Sequence, residues 1–263
     1  MQWLIKRGFE SDPKYRELCD DLMRMGIKHT YCNVIPFSED GLTIESELSE
    51  EPLFSYGSYT LSKIVKSRGY RPGSFISKDI DFDSLKNIYG SELLNYDMSI
   101  CRLEDAIPTS ELFFIRPMED NKAFTAKVMD IAEFKRFKEG IVNLGDGFST
   151  VTKDTPVLIS TPKEIMSEIR FFIVDGKIAT QSLYKLGDSV WYSAIVDQYI
   201  IDYVKDVVSS HRQPDVAYVL DVAVIERNIP KVLEINSINS SGLYAIDTQK
   251  LIAAVEDLTD RYS

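Results

Sequence analysis

Alternation of apolar and polar positions with a period of two dominates the C-terminal third of this chain. Ala217 to Ile225 and Lys231 to Asn236 are rich in β-branched and aliphatic residues and flank the polar pair Arg227-Asn228, with Pro230 just past the bend. Such runs around a polar dipeptide predict a β-hairpin. Strand side chains alternate between faces, so Glu234 and Asn236 are expected on one face together with Val232. An even-numbered loop centred on Arg227-Asn228 sets Asp221 directly opposite Glu234, whereas a loop of three or five residues shifts the register and turns Asp221 to the other face. Opposed carboxylates lie about 4.5–5.5 Å apart at Cβ and repel unless a positive group intervenes. Two carboxylates and an amide form an all-oxygen donor set suited to Mg²⁺ or Mn²⁺ rather than zinc. An edge hairpin with both acids solvated is the alternative reading.

A second hairpin is predicted over Lys163 to Lys185, where Asp175-Gly176 suits a type I′ turn with two positive φ angles. Glu168, Arg170, Phe172 and Val174 then point one way, and Ile169, Phe171 and Ile173 the other. Glu168 and Arg170 form either a surface ion pair, worth at most about 1 kcal/mol, or part of a site. Glu111 to Asp130 reads as strand, loop, strand. Towards the N terminus, a strand at Gln2 to Lys6 precedes a helix at Pro13 to Met25, capped by Asp12 and stopped by Gly26. His29 to Ile35 is a strand, Ser38 to Pro52 an acidic loop, Leu53 to Tyr56 a short strand and Tyr59 to Ser67 a helix ended by Gly69. This β-α-β rhythm predicts a small sheet with covering helices. Ser58 in the Tyr56 to Leu61 segment is either a helix cap or part of an anion site. Further helices are expected at Ala132 to Glu139, Trp191 to Ser209 and Thr248 to Arg261.

Composition narrows the function classes. The chain of 263 residues, 44% hydrophobic and 27% charged, is long enough for a substantial core and ordinary for a globular protein. With 41 acidic against 30 basic residues, a net charge of −11 disfavours a nucleic-acid partner held through phosphates. Cys19, Cys32 and Cys101 have no metal or disulfide spacing and are read as reduced thiols of a cytoplasmic protein. No apolar run is long enough for a membrane span, and the N terminus lacks a signal-peptide core.

The string VLEINSINSSGLY, with Asp221 on the preceding strand, resembles the C-terminal part of the ATP-grasp superfamily, and in particular a divergent clade found in phage and bacterial genomes. The resemblance implies an α+β ATP-grasp fold, with two sheet-containing halves enclosing a nucleotide cleft and a small α/β N-terminal domain. It places that domain at 1–100 and the ATP-grasp domain at 101–263, with a lid over about 111–156 and a nucleotide- and metal-binding half over about 157–263. It implies Asp221, Glu234 and Asn236 as ligands of Mg²⁺ or Mn²⁺, Glu168 on the ATP ribose, and Arg170 facing phosphate or acyl phosphate. Val157 to Ser160, including Ile159, matches the linker whose backbone holds adenine. Arg116-Pro117 stands where relatives have Lys-Pro, so Arg116 is assigned to the nucleotide phosphates, with Lys122 and Lys127 as further candidates that solvent exposure explains equally well.

Two departures qualify the resemblance. MEDNKAFTAK lacks the glycines of the usual phosphate loop, and Val219-Leu220-Asp221 replaces the Arg-x-Asp of D-alanine-ligase-like relatives, which leaves Arg170 and Lys185 as the substitute charges. The activity implied is an ADP-forming carboxylate-amine ligase that uses ATP and acts through an acyl phosphate on an unidentified acid and amine, either of which is a small molecule, a peptide or a protein. The alternatives are a catalytically reduced ATP-binding protein that works through a protein partner in a host cytoplasm, and an unrelated α+β domain.

Overall fold

Two side-chain caps start the first helices where the sequence placed them. The computed structural model describes residues 1–35, 41–49, 52–76, 81–108, 110–118, 124–144 and 151–263. Strand β1 (Gln2–Lys6) leads into α1 (Pro13–Arg24), whose N-cap Asp12 accepts a hydrogen bond from the Lys14 amide at 2.8 Å, with Pro13 in the first turn. Next come β2 (His29–Val34), β3 (Leu42–Ile44), β4 (Leu53–Tyr56), α2 (Tyr59–Ser67) and β5 (Pro72–Gly73). Ser58 caps α2 by accepting from the Leu61 amide at 3.2 Å, which is the structural role the sequence allowed for it. The strands form a sheet in the order β3-β2-β1-β4-β5, with β1 parallel to β2 and β4. Strand β3 corrects the reading of this stretch as loop: Leu42–Ile44 pairs antiparallel with β2, opposing Cys32 to Ile44.

Helix α3 (Phe82–Tyr89) closes the N-terminal segment. Residues 95–164 then form a compact unit of their own, and 1–94 with 165–263 form the other. The smaller unit holds β6 (Ser99–Arg102), β7 (Leu112–Pro117), β8 (Lys127–Asp130), α4 (Ile131–Leu144) and β9 (Pro156–Ser160). Its sheet runs β6-β9-β7-β8. Phe113, Ile115, Met129, Val157 and Ile159 pack with Phe134 of α4. The Val157 to Ser160 run, expected as a linker, is therefore a strand with neighbours on both sides, because its alternating β-branched residues fill this core.

The larger unit adds β10 (Ile165–Val174), β11 (Lys177–Leu186), β12 (Ser189–Ser193), α5 (Gln198–Ser210), β13 (Ala217–Ile225), β14 (Ile229–Asn236), α6 (Thr248–Glu256) and α7 (Thr259–Tyr262). The β10–β11 hairpin turns on Asp175 and Gly176 at φ 49° and 69°, as a type I′ turn requires. The five strands are antiparallel in the order β12-β11-β10-β13-β14. The helix expected from Trp191 starts only at Gln198, since Ser189–Ser193 pairs with β11 as an edge strand and leaves Trp191 and Ile195 exposed. The last expected helix is likewise broken, at Asp257-Leu258.

The two faces of this sheet sort as the alternation required. Ile169, Phe171 and Ile173 pack with Leu220, Val222, α3 and α5. Phe172, Val174, Ala217 and Val219 face the other way, into a core shared with Trp3, Ile5, α1, Phe54 and α6. The segment 1–94, expected as part of a separate domain, thus shares its main core with residues from 172 onward. Among the described residues, no helix is long and apolar enough to cross a membrane.

Candidate active site

The hairpin that carries the Glu-x-Asn residues reaches its register by an unexpected route. Ile225 opposes Ile229, so the loop is the three residues Glu226–Asn228, with Arg227 and Asn228 at φ 62° and 58°. By itself that length would turn Asp221 away from Glu234. Between Val222↔Val232 and Asp221↔Glu234, however, β14 contains one extra residue, Leu233. This bulge cancels the shift, and Asp221 opposes Glu234 after all. It also corrects the placement of Val232, which joins Ile235 in the core on the opposite face instead of sharing the face of Glu234.

Asp221, Glu234 and Asn236 meet. The Asn236 Nδ2 donates to Asp221 Oδ2 at 3.0 Å and to Glu234 Oε1 at 2.9 Å. Rotation about the Asn236 Cβ–Cγ bond exchanges Nδ2 for Oδ1 at the same point, so the trio can present oxygen alone, as a hard divalent cation requires. Among the described residues no group of three or more His, Cys, Asp and Glu side chains could hold a metal ion. The donor set therefore rests on two carboxylates and one amide.

Asp221 has a further partner. Arg170 lies directly across β10–β13 from it. Its Nε donates to Oδ1 at 2.9 Å and its Nη2 to Oδ2 at 2.7 Å, a bidentate pair with both residues buried. Nη1 donates to the Gly242 carbonyl at 3.3 Å. Burial pushes the Asp221 carboxyl up to about 6, against the pull of Arg170 and with a further push from Glu234. For Arg170, burial works against the charge, but the bonds and attraction to Asp221 outweigh it and raise its pKa.

A tyrosine bracket surrounds the guanidinium. Its carbon lies 4.9 Å from the Tyr244 ring centroid and 5.5 Å from that of Tyr184, and those rings stack at 5.0 Å. Tyr192 of β12 also stacks on Tyr244, at 5.1 Å. Tyr244 has φ 52°, an uncommon value for a non-glycine residue. Sequence reasoning missed all three tyrosines. Tyr184 arrives through a second bulge, between Glu168 and Ile169, that brings both Tyr184 Oη (2.7 Å) and Lys185 Nζ (2.8 Å) onto the Glu168 carboxylate. Glu168, Arg170, Lys185, Asp221, Glu234 and Asn236 are thus linked on one side of one sheet.

The loop after β14 holds this array to the N-terminal strands. Asn239, fully buried, accepts from the Phe75 amide at 2.8 Å and donates to the Ser55 carbonyl at 2.6 Å, while its carbonyl accepts from the Gly57 amide at 2.8 Å. Tyr56 Oη donates to the Ser241 carbonyl at 2.7 Å. Gly57 sits at φ 151°, and a Cβ there would stand 2.3 Å from the Lys6 Cβ, so only glycine fits this junction.

The remaining expected residues lie in the smaller unit. Arg116 of β7 is half-buried, and its Nε donates to the Pro117 carbonyl at 3.2 Å. Lys127 is exposed and pairs with Glu133 at 2.9 Å. Ile159 is a core residue whose side chain packs with Ile115 and Val157. Lys122 lies outside the described residues.

Comparison with known proteins agrees with this architecture. The model of an ATP-grasp domain, the second family of its clade, matches residues 95–254. No curated protein matches the chain. Among solved structures, D-alanine–D-alanine ligase from Bacillus anthracis complexed with ATP superposes with a TM-score of 0.60 at 15% identity, covering 99% of this chain and 98% of that one. D-cycloserine synthetase DcsG gives 0.59 at 11% identity over 98% and 99%. The ATP-grasp ligase PsnB, complexed with minimal precursor, Mg and ADP, gives 0.57 at 10% identity over 98% of each chain. At these identities the structural likeness is one of fold. The family match spans more than half of the chain, which accordingly belongs to that ATP-grasp domain family and with it to the ATP-grasp superfamily.

Proposed function

We propose that this protein is an ATP- and Mg²⁺-dependent carboxylate-amine ligase that forms ADP. The observation that carries the reading is the meeting of Asp221, Glu234 and Asn236 beside Arg170 on one sheet face. Family membership and the ligase and Mg-ADP descriptions of its structural relatives support it. Asp221, Glu234 and Asn236 would hold the divalent ion, whose contribution is to neutralise the charge of the β- and γ-phosphates. Arg116 is assigned to the phosphates, for which a guanidinium offers bidentate contacts and a permanent charge. Lys127 becomes available to phosphate only by leaving Glu133. Glu168, held by Tyr184 and Lys185, would accept a hydrogen bond from a ribose hydroxyl.

In the reaction a substrate carboxylate oxygen bonds to the γ-phosphorus as the bond to ADP breaks, giving an acyl phosphate. An amine nitrogen then bonds to the acyl carbon, loses a proton and expels phosphate. Arg170 and Lys185 would stabilise negative charge as it develops, so that catalysis is positioning and electrostatics without an enzyme nucleophile.

Glu234→Gln tests this reading. It keeps the side-chain shape and removes the charge, so ADP release in the presence of a matching acid and amine should fall by about a hundredfold or more, with the circular dichroism spectrum unchanged. Undiminished turnover would falsify the assignment. A screen of amino acids and short peptides for paired acid and amine dependence of ADP release identifies the substrates. The rival reading, an ATP-binding protein without ligation, is favoured by Val219, which stands buried in the core where a catalytic arginine is expected. ATP binding without ADP release under any pairing of acid and amine would select it.

A further inference from the structure

Most of the acceptor capacity of Asp221 is already taken. A carboxylate offers about four lone-pair positions, and three donors occupy this one: Arg170 Nε on Oδ1, with Arg170 Nη2 and Asn236 Nδ2 on Oδ2. The side chain has no accessible surface, in contrast to the exposed Glu234 across the hairpin. Arg170 is held in place from three further directions, by the Gly242 carbonyl and by the rings of Tyr244 and Tyr184. The guanidinium therefore stands where the positive charge of a metal ion would act, and its seat is built by the fold.

We propose that Arg170 is the resident cation of the Asp221 carboxylate and competes with a divalent ion for it, so that an ion takes Asp221 as a ligand only as Arg170 withdraws. The inference rests on the metal reading above and deepens it. The competition follows from charge and geometry: an ion reaching Asp221 meets a fixed positive charge at hydrogen-bond distance, and a buried bidentate pair must be exchanged before the oxygens are free. Glu234 and Asn236, whose side chains bond to each other and not to the guanidinium, form the first landing point for the ion.

The test is Mn²⁺ binding to the nucleotide-free protein, read by loss of the free-ion electron paramagnetic resonance signal. Arg170→Lys keeps the charge but cannot span both carboxylate oxygens. It should bind Mn²⁺ about tenfold more tightly than the wild type, within the usual range for coupled sites. Arg170→Met should bind more tightly still; as it leaves a buried acid unpaired, its fold is checked by circular dichroism and the lysine variant carries the test if it fails. In the wild type, saturating Mn²⁺ should also change the near-ultraviolet circular dichroism of the tyrosines, because Arg170 leaves their rings. Equal or weaker Mn²⁺ binding by a folded Arg170→Lys protein overturns the proposal. Glu234→Gln separates the two readings. Loss of Mn²⁺ binding in that variant, with no gain in Arg170→Lys, removes only the competition, whereas unchanged binding in Glu234→Gln removes the metal site and the competition together.

Discussion

Asp221 illustrates how far a single residue can be read from sequence. Alternation, together with an even-numbered loop at Arg227-Asn228, placed it opposite Glu234; the loop has three residues, a bulge restores the pairing, and the three side chains meet. Its strongest partner was not legible. Within the sequence, the nearest acid to Arg170 on the same strand face is Glu168, but that carboxylate is taken by Tyr184 and Lys185. Arg170 turns instead to the strand beside it, and which strand lies beside β10 is a property of topology that no local pattern encodes. Cysteine chemistry also belongs to this scale. Burial pushes the Cys32 thiol up to about 12, while Cys101 is only half-buried. Since the thiolate is the reactive form, and a group titrating near 12 is ionised in roughly one molecule in ten thousand at pH 8, alkylation of the native protein at that pH should spare Cys32 and label Cys101 first. Peptide mass mapping after brief iodoacetamide treatment checks the order.

At the level of elements, the hairpins were legible and their irregularities were not. Asp175-Gly176 announced its turn because both positions need positive φ, and Asp12 announced α1 because its side chain satisfies a free amide. The extra residue at Leu233 left no comparable mark, since a bulge is a mismatch between two strands and each strand looks regular alone. Two opposite errors, a loop one residue longer and a strand one residue longer, cancelled at Asp221. The cancellation predicts that deleting Leu233 straightens β14 while leaving Glu234 opposite Asp221, so the rise in melting temperature with Mg-ATP should persist. Disappearance of that rise in a folded deletion variant would show that the bulge itself shapes the site. The loop after β14 makes a separate prediction. Asn239→Ala orphans the Phe75 amide and the Ser55 carbonyl, and each unpaired buried group costs about 1–3 kcal/mol. Urea unfolding should register a loss of about 2–6 kcal/mol for the two groups together, and a variant as stable as the wild type would show that water replaces the side chain.

For the whole molecule, composition constrained what the protein avoids more than what it does. A net charge of −11 predicts no retention on heparin at physiological salt; retention would reveal a basic surface that the overall charge conceals. The assembly of 1–94 with 165–263 was illegible from the order of elements, because the residues that complete the core of β1 and α1 lie on β10, β13 and α6. That arrangement has a consequence for how the chain comes into being. During synthesis from the N terminus, Trp3 and Leu18 emerge long before Ile252 and Val255, their eventual neighbours in the core. The early segment must therefore wait with apolar surface uncovered while the intervening unit, whose own core, among the described residues, draws on 101–159, is already able to close.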